Sequence, residues 1–200
     1  YCNHIELYQD KNLANKFRNI ITQIVDEDIK EICLVSYHKL LTYKDEYEVA
    51  RLHSNVIKDK ISSQFSEFKK ITFHLAPPLI SKMGQDGRPI KREFGSWILI
   101  LFKMLSSLKF LRKTVFDPFR YSNDRKLERS LIVKFEQDMN EFLVVLNDIN
   151  KSLIKELLTL PQNVKGFGHI KEANIETFLR RRNELGMKIR NNSITKTAAE

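Results

Sequence analysis

Apolar residues recur at helical spacing along most of this chain. Leu13, Phe17, Ile20, Ile21 and Ile24 fall on one stripe, and Ile29, Cys33, Tyr37, Leu40 and Leu41 on another. Ser54 to Phe68 continues the pattern through Val56, Ile57, Ile61, Phe65 and Phe68. From Lys70 to Ala76 the period changes to two. Ile71, Phe73 and Leu75 face one side and Thr72 and His74 the other, which predicts a short strand. Pro77 and Pro78 end it, because proline removes a ladder donor. A turn at Gly84–Gly87 and a returning strand over Arg88–Arg92 complete a two-stranded ribbon near residues 70–92.

The segment from Phe94 to Phe110 is apolar nearly all round, which predicts a helix in the centre of a bundle. Leu127, Leu131, Phe135, Met139, Phe142, Leu146, Ile149, Leu153 and Leu157 then hold the helical period, in one long helix or two joined near Asn147–Asn150. Ser122, Asn123 and Asp124 are each suited to cap its start. A basic helix follows from about Ala173 to Ile189, and residues 191–200 read as a frayed polar tail. The prediction is a mainly α fold, a helical bundle with a small β-ribbon, in one domain over residues 1–190.

Composition narrows the class. With 42% hydrophobic and 30% charged residues, the chain suits an ordinary globular domain. Its longest apolar run, Trp97–Phe102, stops at Lys103, well short of the roughly 18 residues of a membrane span. No charged and apolar leader opens the chain. It begins on Tyr1, as a segment of a longer polypeptide would. Cys2 and Cys33 are the only cysteines, too few for a disulfide framework or a four-cysteine cluster, and a cytoplasmic location is expected. The net charge of +9 raises the case for a polyanionic partner, but the charge is spread along the chain except at Lys165–Lys171 and Arg180–Arg182. A solvated basic surface is preferred to a nucleic-acid footprint.

There is no phosphate-binding glycine loop of Walker or dinucleotide type, no histidine pair at metal-binding spacing, and no acidic and amide loop for a magnesium diphosphate. No catalytic or metal-ligating residue is therefore assigned. Four polar constellations remain. Lys44, Glu48 and Arg51 extend the second helix at pairing distances, as a polar site or, preferably, as a salt-bridge network. His74 could titrate near neutrality or, preferably, serve as a surface strand residue. Asp117, held extended before Pro118, could pair with Arg112, or with Arg125 or Arg129. The loop Lys165, Gly166, Gly168, His169 and Lys171 stands before a helix start and is the best candidate for a small anion such as coenzyme A; a tight loop is the plainer reading.

Taken in chain order, KDEYEVARLH at Lys44–His53, FHLAPPL at Phe73–Leu79, the run from Gly87 to Trp97, FDPF at Phe116–Phe119 and KGFGHIK at Lys165–Lys171 resemble the C-terminal domain of indolepyruvate ferredoxin oxidoreductase-like proteins. The resemblance spans about Leu40 to Arg182. It implies an enzyme that oxidatively decarboxylates 2-oxoacids to acyl-coenzyme A. Thiamine diphosphate, magnesium and iron–sulfur clusters of the four-iron, four-sulfur type would sit in other domains, with ferredoxin as electron acceptor. This segment would be an accessory domain that packs against the catalytic domains or a second subunit, with no cofactor or catalytic residue of its own. The sequence departs from the family pattern at Lys113 and Arg120, where glycine is expected. A positive φ at either position would strain the side chain present there.

Overall fold

The computed structural model describes residues 1–54, 63, 71–77, 81, 82, 84, 90–166 and 169–197. Its fold is mainly α with one small antiparallel ribbon, as the periodicity predicts. The sequence predicts one domain over residues 1–190; in the structure the chain groups into two compact units. The first comprises Tyr1–Tyr43 with Pro118–Glu200, the second Lys44–Asp117.

The first unit contains helices α1 (Cys2–Tyr8), α2 (Lys11–Thr22) and α3 (Glu27–Leu41). After the second unit, the chain returns as α6 (Asn123–Phe142), α7 (Lys151–Thr159) and α8 (His169–Thr197). Aspartates start α2 and α3: Asp10 accepts from the Leu13 amide at 2.8 Å and Asp26 from the Ile29 amide at 3.1 Å, each satisfying a donor the helix leaves open. Ser122, one of the three predicted caps, starts α6. The long apolar run beyond it forms two helices. At the break, Asn147 Oδ1 accepts from the amides of Ile149 and Asn150, while Asn150 Oδ1 accepts from the Asn147 amide. Side-chain amides here replace helical hydrogen bonds, which bends the chain.

The predicted stripes of α2 and α3 meet α6 in the core. The Phe17 ring stacks on Tyr37 at 5.7 Å and Tyr37 on Phe135 at 5.9 Å. Ile29, Cys33, Leu157, Phe178 and Leu185 close around them. Burial pushes the Cys33 thiol up to about 12, so it is a packing residue rather than a nucleophile. Helix α8 starts earlier and ends later than expected: its backbone stays helical to Thr197, through most of the predicted tail.

The second unit holds α4 (Glu46–Leu52), strands β1 (Phe73–Leu75) and β2 (Arg92–Phe94), and α5 (Ile98–Ser107) followed by a 3-10 turn at Leu108–Leu111. The ribbon pairs Phe73 with Phe94 and Leu75 with Arg92. The return strand therefore begins where the sequence reading ends it. The predicted helix at Ser54–Phe68 and the turn at Gly84–Gly87 lie for the most part outside the described residues. Ala50, Phe73, Ile98 and Phe102 form the core of this unit, with His53 stacked on Phe102 at 5.2 Å. Helix α5 is not the central helix expected from its composition. Only one side of it is buried, and Ile100 remains 69% exposed.

At the edge of the first unit, His4 Nδ1 lies 2.9 Å from His38 Nε2, and Tyr1 packs edge-on against His38. Burial first, and then His4, push His38 from 6.5 down to about 4. As pH falls from 6.5 toward 4, the unfolded chain gains a proton at His38 that the folded chain refuses. Stability is therefore lost across that window. The urea midpoint of the chain is expected to fall between neutral pH and about pH 4.5, and His38→Gln to flatten that fall.

Candidate functional site

The densest buried polar cluster among the described residues lies in the second unit, where two of the resemblance motifs, KDEYEVARLH and FDPF, meet around Arg112. The helical stripe of α3 ends at Leu41, so Lys44 is not on that helix as expected; it is an exposed residue between helices. Asp45 caps α4, accepting from the Glu48 amide at 2.9 Å. Its carboxylate also accepts two bonds from Arg112, from Nε at 2.5 Å and from Nη2 at 2.9 Å. Both side chains are buried. The planar guanidinium suits this two-pronged contact and also lies over the Tyr47 ring, 5.4 Å from its centre.

The Tyr47 hydroxyl donates to Asp117 Oδ1 at 3.0 Å, and the Lys113 amide approaches Asp117 Oδ2 at 3.4 Å. Burial first, and then Asp117, push the Tyr47 phenol above its ordinary value, so it stays protonated as a donor. On the next turn of α4, Glu48 accepts two bonds from Arg51 at 2.8 and 2.7 Å, which raises the guanidinium further. Glu48 and Arg51 are thus the i, i+3 pair that the spacing predicts. The partner of Arg112 on α4 is Asp45, which sequence reasoning did not single out. The signal was present: Asp45 followed three residues later by Glu48 has the form of a helix-start motif.

Lys113 takes a left-handed φ of 72°, as expected of a position that suits glycine. It lies where the chain reverses, between the Arg112 amide bonded to the Lys109 carbonyl and the Thr114 amide bonded to the Leu111 carbonyl. Arg120 has no positive φ, so no strain of this kind exists there. Its carbonyl accepts from Arg129 at 2.7 Å.

The candidate anion loop belongs to the first unit. Gly166 has a φ of 96°, and a Cβ there would sit 2.8 Å from Ile170 Cγ2, so the turn itself requires glycine. Gly168 and the side chain of His169 lie outside the described residues. Lys165 is exposed, and its carbonyl accepts from Asn174 at 2.8 Å. Lys171 is bound to the buried carboxylate of Glu128, with Arg125 4.0 Å from the same oxygen. Arg125 also lies over the Tyr43 ring.

Beside the loop, Lys39 donates to the carbonyls of Pro161, Gln162 and Val164 at 3.0, 2.7 and 2.9 Å. Burial first, then Lys165 and Lys171, lower its pKa to about 8. Sequence reasoning missed Lys39 because nothing marks one lysine on a helix as the clamp of a turn more than a hundred residues away. The loop is thus held by internal contacts that occupy Lys39 and Lys171.

The basic run is occupied in the same way. Arg181 bonds Glu156 and Glu184, and Arg182 grips the buried Asp138 with two bonds at 2.7 and 2.6 Å. Burial outweighs Arg182 and holds the Asp138 carboxyl above its usual range. His74 is exposed on β1, 3.9 Å from its cross-strand neighbour Glu93. Among the described residues, no group of three or more histidine, cysteine, aspartate or glutamate side chains could hold a metal ion, and no helix is long and apolar enough to cross a membrane. Arranged in this way, the cluster of Asp45, Arg112, Tyr47 and Asp117 fixes backbone geometry.

A family model with the description DUF6537, a family of unknown function, matches residues 2–184. No curated protein matches the chain, and no solved structure does.

Two stability measurements test this assignment. Arg112→Ala leaves Asp45 buried without its cation and is expected to cost about 3–5 kcal/mol, read as a lower urea midpoint. Arg112→Lys should recover only part of that loss, because an ammonium cannot reproduce the fork. Lys113→Gly is expected to raise stability by about 1 kcal/mol by relieving the left-handed strain, while Arg120→Gly gives no gain.

Proposed function

The chain belongs to the DUF6537 family, and we propose that it serves as an accessory, non-catalytic domain of a cytoplasmic 2-oxoacid ferredoxin oxidoreductase of the indolepyruvate type. Its task in that enzyme is packing against the catalytic domains or a second subunit. The whole enzyme would convert a 2-oxoacid to acyl-coenzyme A with thiamine diphosphate, magnesium and iron–sulfur clusters, and pass electrons to ferredoxin. The observation that carries the packing role is the contrast between charged and apolar side chains. Arg112, Lys171, Arg181 and Arg182 are engaged inside the chain, while Trp97, Ile100, Met104 and Phe116 stand exposed. Apolar surface gathered on one short segment is a common mark of a protein interface. The oxidoreductase assignment is supported by the five motifs in register between Lys44 and Lys171.

A coenzyme A site at the loop of Lys165, Gly166 and Lys171 is the second reading. The left-handed turn at Gly166 and the exposed Lys165 favour it, but the binding of Lys171 by Glu128 weakens its pull on an anion. Nucleic-acid binding ranks below both, because Arg181 and Arg182 already have carboxylate partners.

The test is the native mass of the intact gene product, with analysis for thiamine diphosphate, iron and sulfide. A polypeptide much longer than this chain, carrying all three, is the expected result. A free product of about this length without them overturns the oxidoreductase assignment.

A further inference from the structure

Helix α5 buries Ile98 and Phe102 against Ala50 and Phe73. Its other side faces outward. Trp97, Leu101, Met104 and Leu108 recur at steps of four, three and four residues, which places them on one stripe, and Ile100 flanks it. All five are exposed, Met104 by 61%, and so are Phe110 and Phe116, which follow the helix in sequence. The stripe has the spacing by which one helix seats its side chains between those of another. Among the described residues nothing covers it.

Along the stretch of sequence that carries the stripe, the charge has one sign. Between Glu93 and Asp117 the chain contains Lys103, Lys109, Arg112 and Lys113 and no carboxylate. Arg112 is neutralised by Asp45, and Lys103 stands exposed on α5 itself. We propose that this face docks a helix of a protein partner, one with an apolar stripe flanked by aspartate or glutamate. This inference rests on the packing role proposed above and adds the face and the chemistry of what it receives.

A second copy of the chain fits poorly. A two-fold contact would place the same patch on both sides, with lysine against lysine. An anionic lipid surface is favoured by clusters of about four to eight basic residues; here three lysines are spread from Lys103 to Lys113. A helix with acidic flanks meets both the spacing and the sign.

Trp97 is the only tryptophan, and it lies on the proposed contact, so its emission reports directly on docking. The probes are a synthetic helix with a leucine stripe and glutamate flanks, the same helix with lysine flanks, and phosphatidylserine vesicles, each titrated into the 200-residue chain. The glutamate-flanked helix is expected to shift the emission to the blue. Met104→Glu should weaken that binding by about tenfold or more. Lys103→Glu should weaken it too, and restore binding when the lysine-flanked helix is used instead. Both side chains are exposed, so unchanged urea midpoints would show that the variants fold.

Emission that ignores the glutamate-flanked helix overturns the proposal, as does an equal response to both helices. A shift with vesicles alone would make the face a lipid contact, and a shift with protein concentration alone, accompanied by a doubled mass, would make it a self-contact. Cofactor analysis of the intact product decides the enzyme assignment separately. Missing cofactors leave the Trp97 result standing, and a silent Trp97 leaves the enzyme assignment standing.

Discussion

The second unit depends on one ion pair. Asp45 lies at its beginning and Arg112 near its end, and both are buried, so the chain from Lys44 to Asp117 leaves and returns at a single place. An unpaired buried charge is costly, whereas a forked pair with further hydrogen bonds offsets its own desolvation. Each additional contact uses a group the pair has already positioned. Asp45 also starts α4, Tyr47 on that helix carries the guanidinium on its ring face and holds Asp117 with its hydroxyl, and Asp117 meets the Lys113 amide. The strained φ at Lys113 persists because its neighbours on both sides are tied down.

The first unit handles charge by the same rule. Glu128 and Asp138 are buried on α6, and each meets a cation from α8, Lys171 and Arg182 respectively. Spaced ten residues apart along α6, these two pairs set the register of one helix against the other more narrowly than apolar contact alone would. They also remove cations from the surface that a polyanion would need. A net charge of +9 is therefore a weak guide to what the chain binds, because Lys171, Arg181 and Arg182 in its basic runs already meet carboxylates of the same chain.

The apolar face of α5 is the counterpart to this internal neutralisation. In a helix that is hydrophobic on all sides, composition alone suggests full burial. Here Ile98 and Phe102 join the small core around Phe73, with Leu99 and Leu105 packed against it. Trp97, Ile100, Leu101, Met104 and Leu108 stay exposed, and apolar surface of this kind is a common mark of a protein contact.

Periodicity by itself identified α2, α3, the apolar run of α6 and α7 and the alternating strand at Phe73, because burial of one face writes its period directly into the order of residues; it left open whether that run was one helix or two. The resemblance, in which glycine is expected at Lys113 and Arg120, pointed to a left-handed position at both, and the structure has one at Lys113 alone of the two. The short helix α1 escaped notice, having only Ile5 and Tyr8 to bury, and the return strand began later than its sequence suggested. Partner choice between residues far apart in sequence was decided by tertiary structure alone. That Arg112 takes Asp45, that Lys39 clamps the turn at Pro161–Val164, and that Lys171 is held by Glu128 follow from contacts between residues 43 to 125 positions apart. A charged side chain carries no mark of which opposite charge it will meet. Only the packing of the helices brings one carboxylate within reach and excludes the water that would otherwise compete for it.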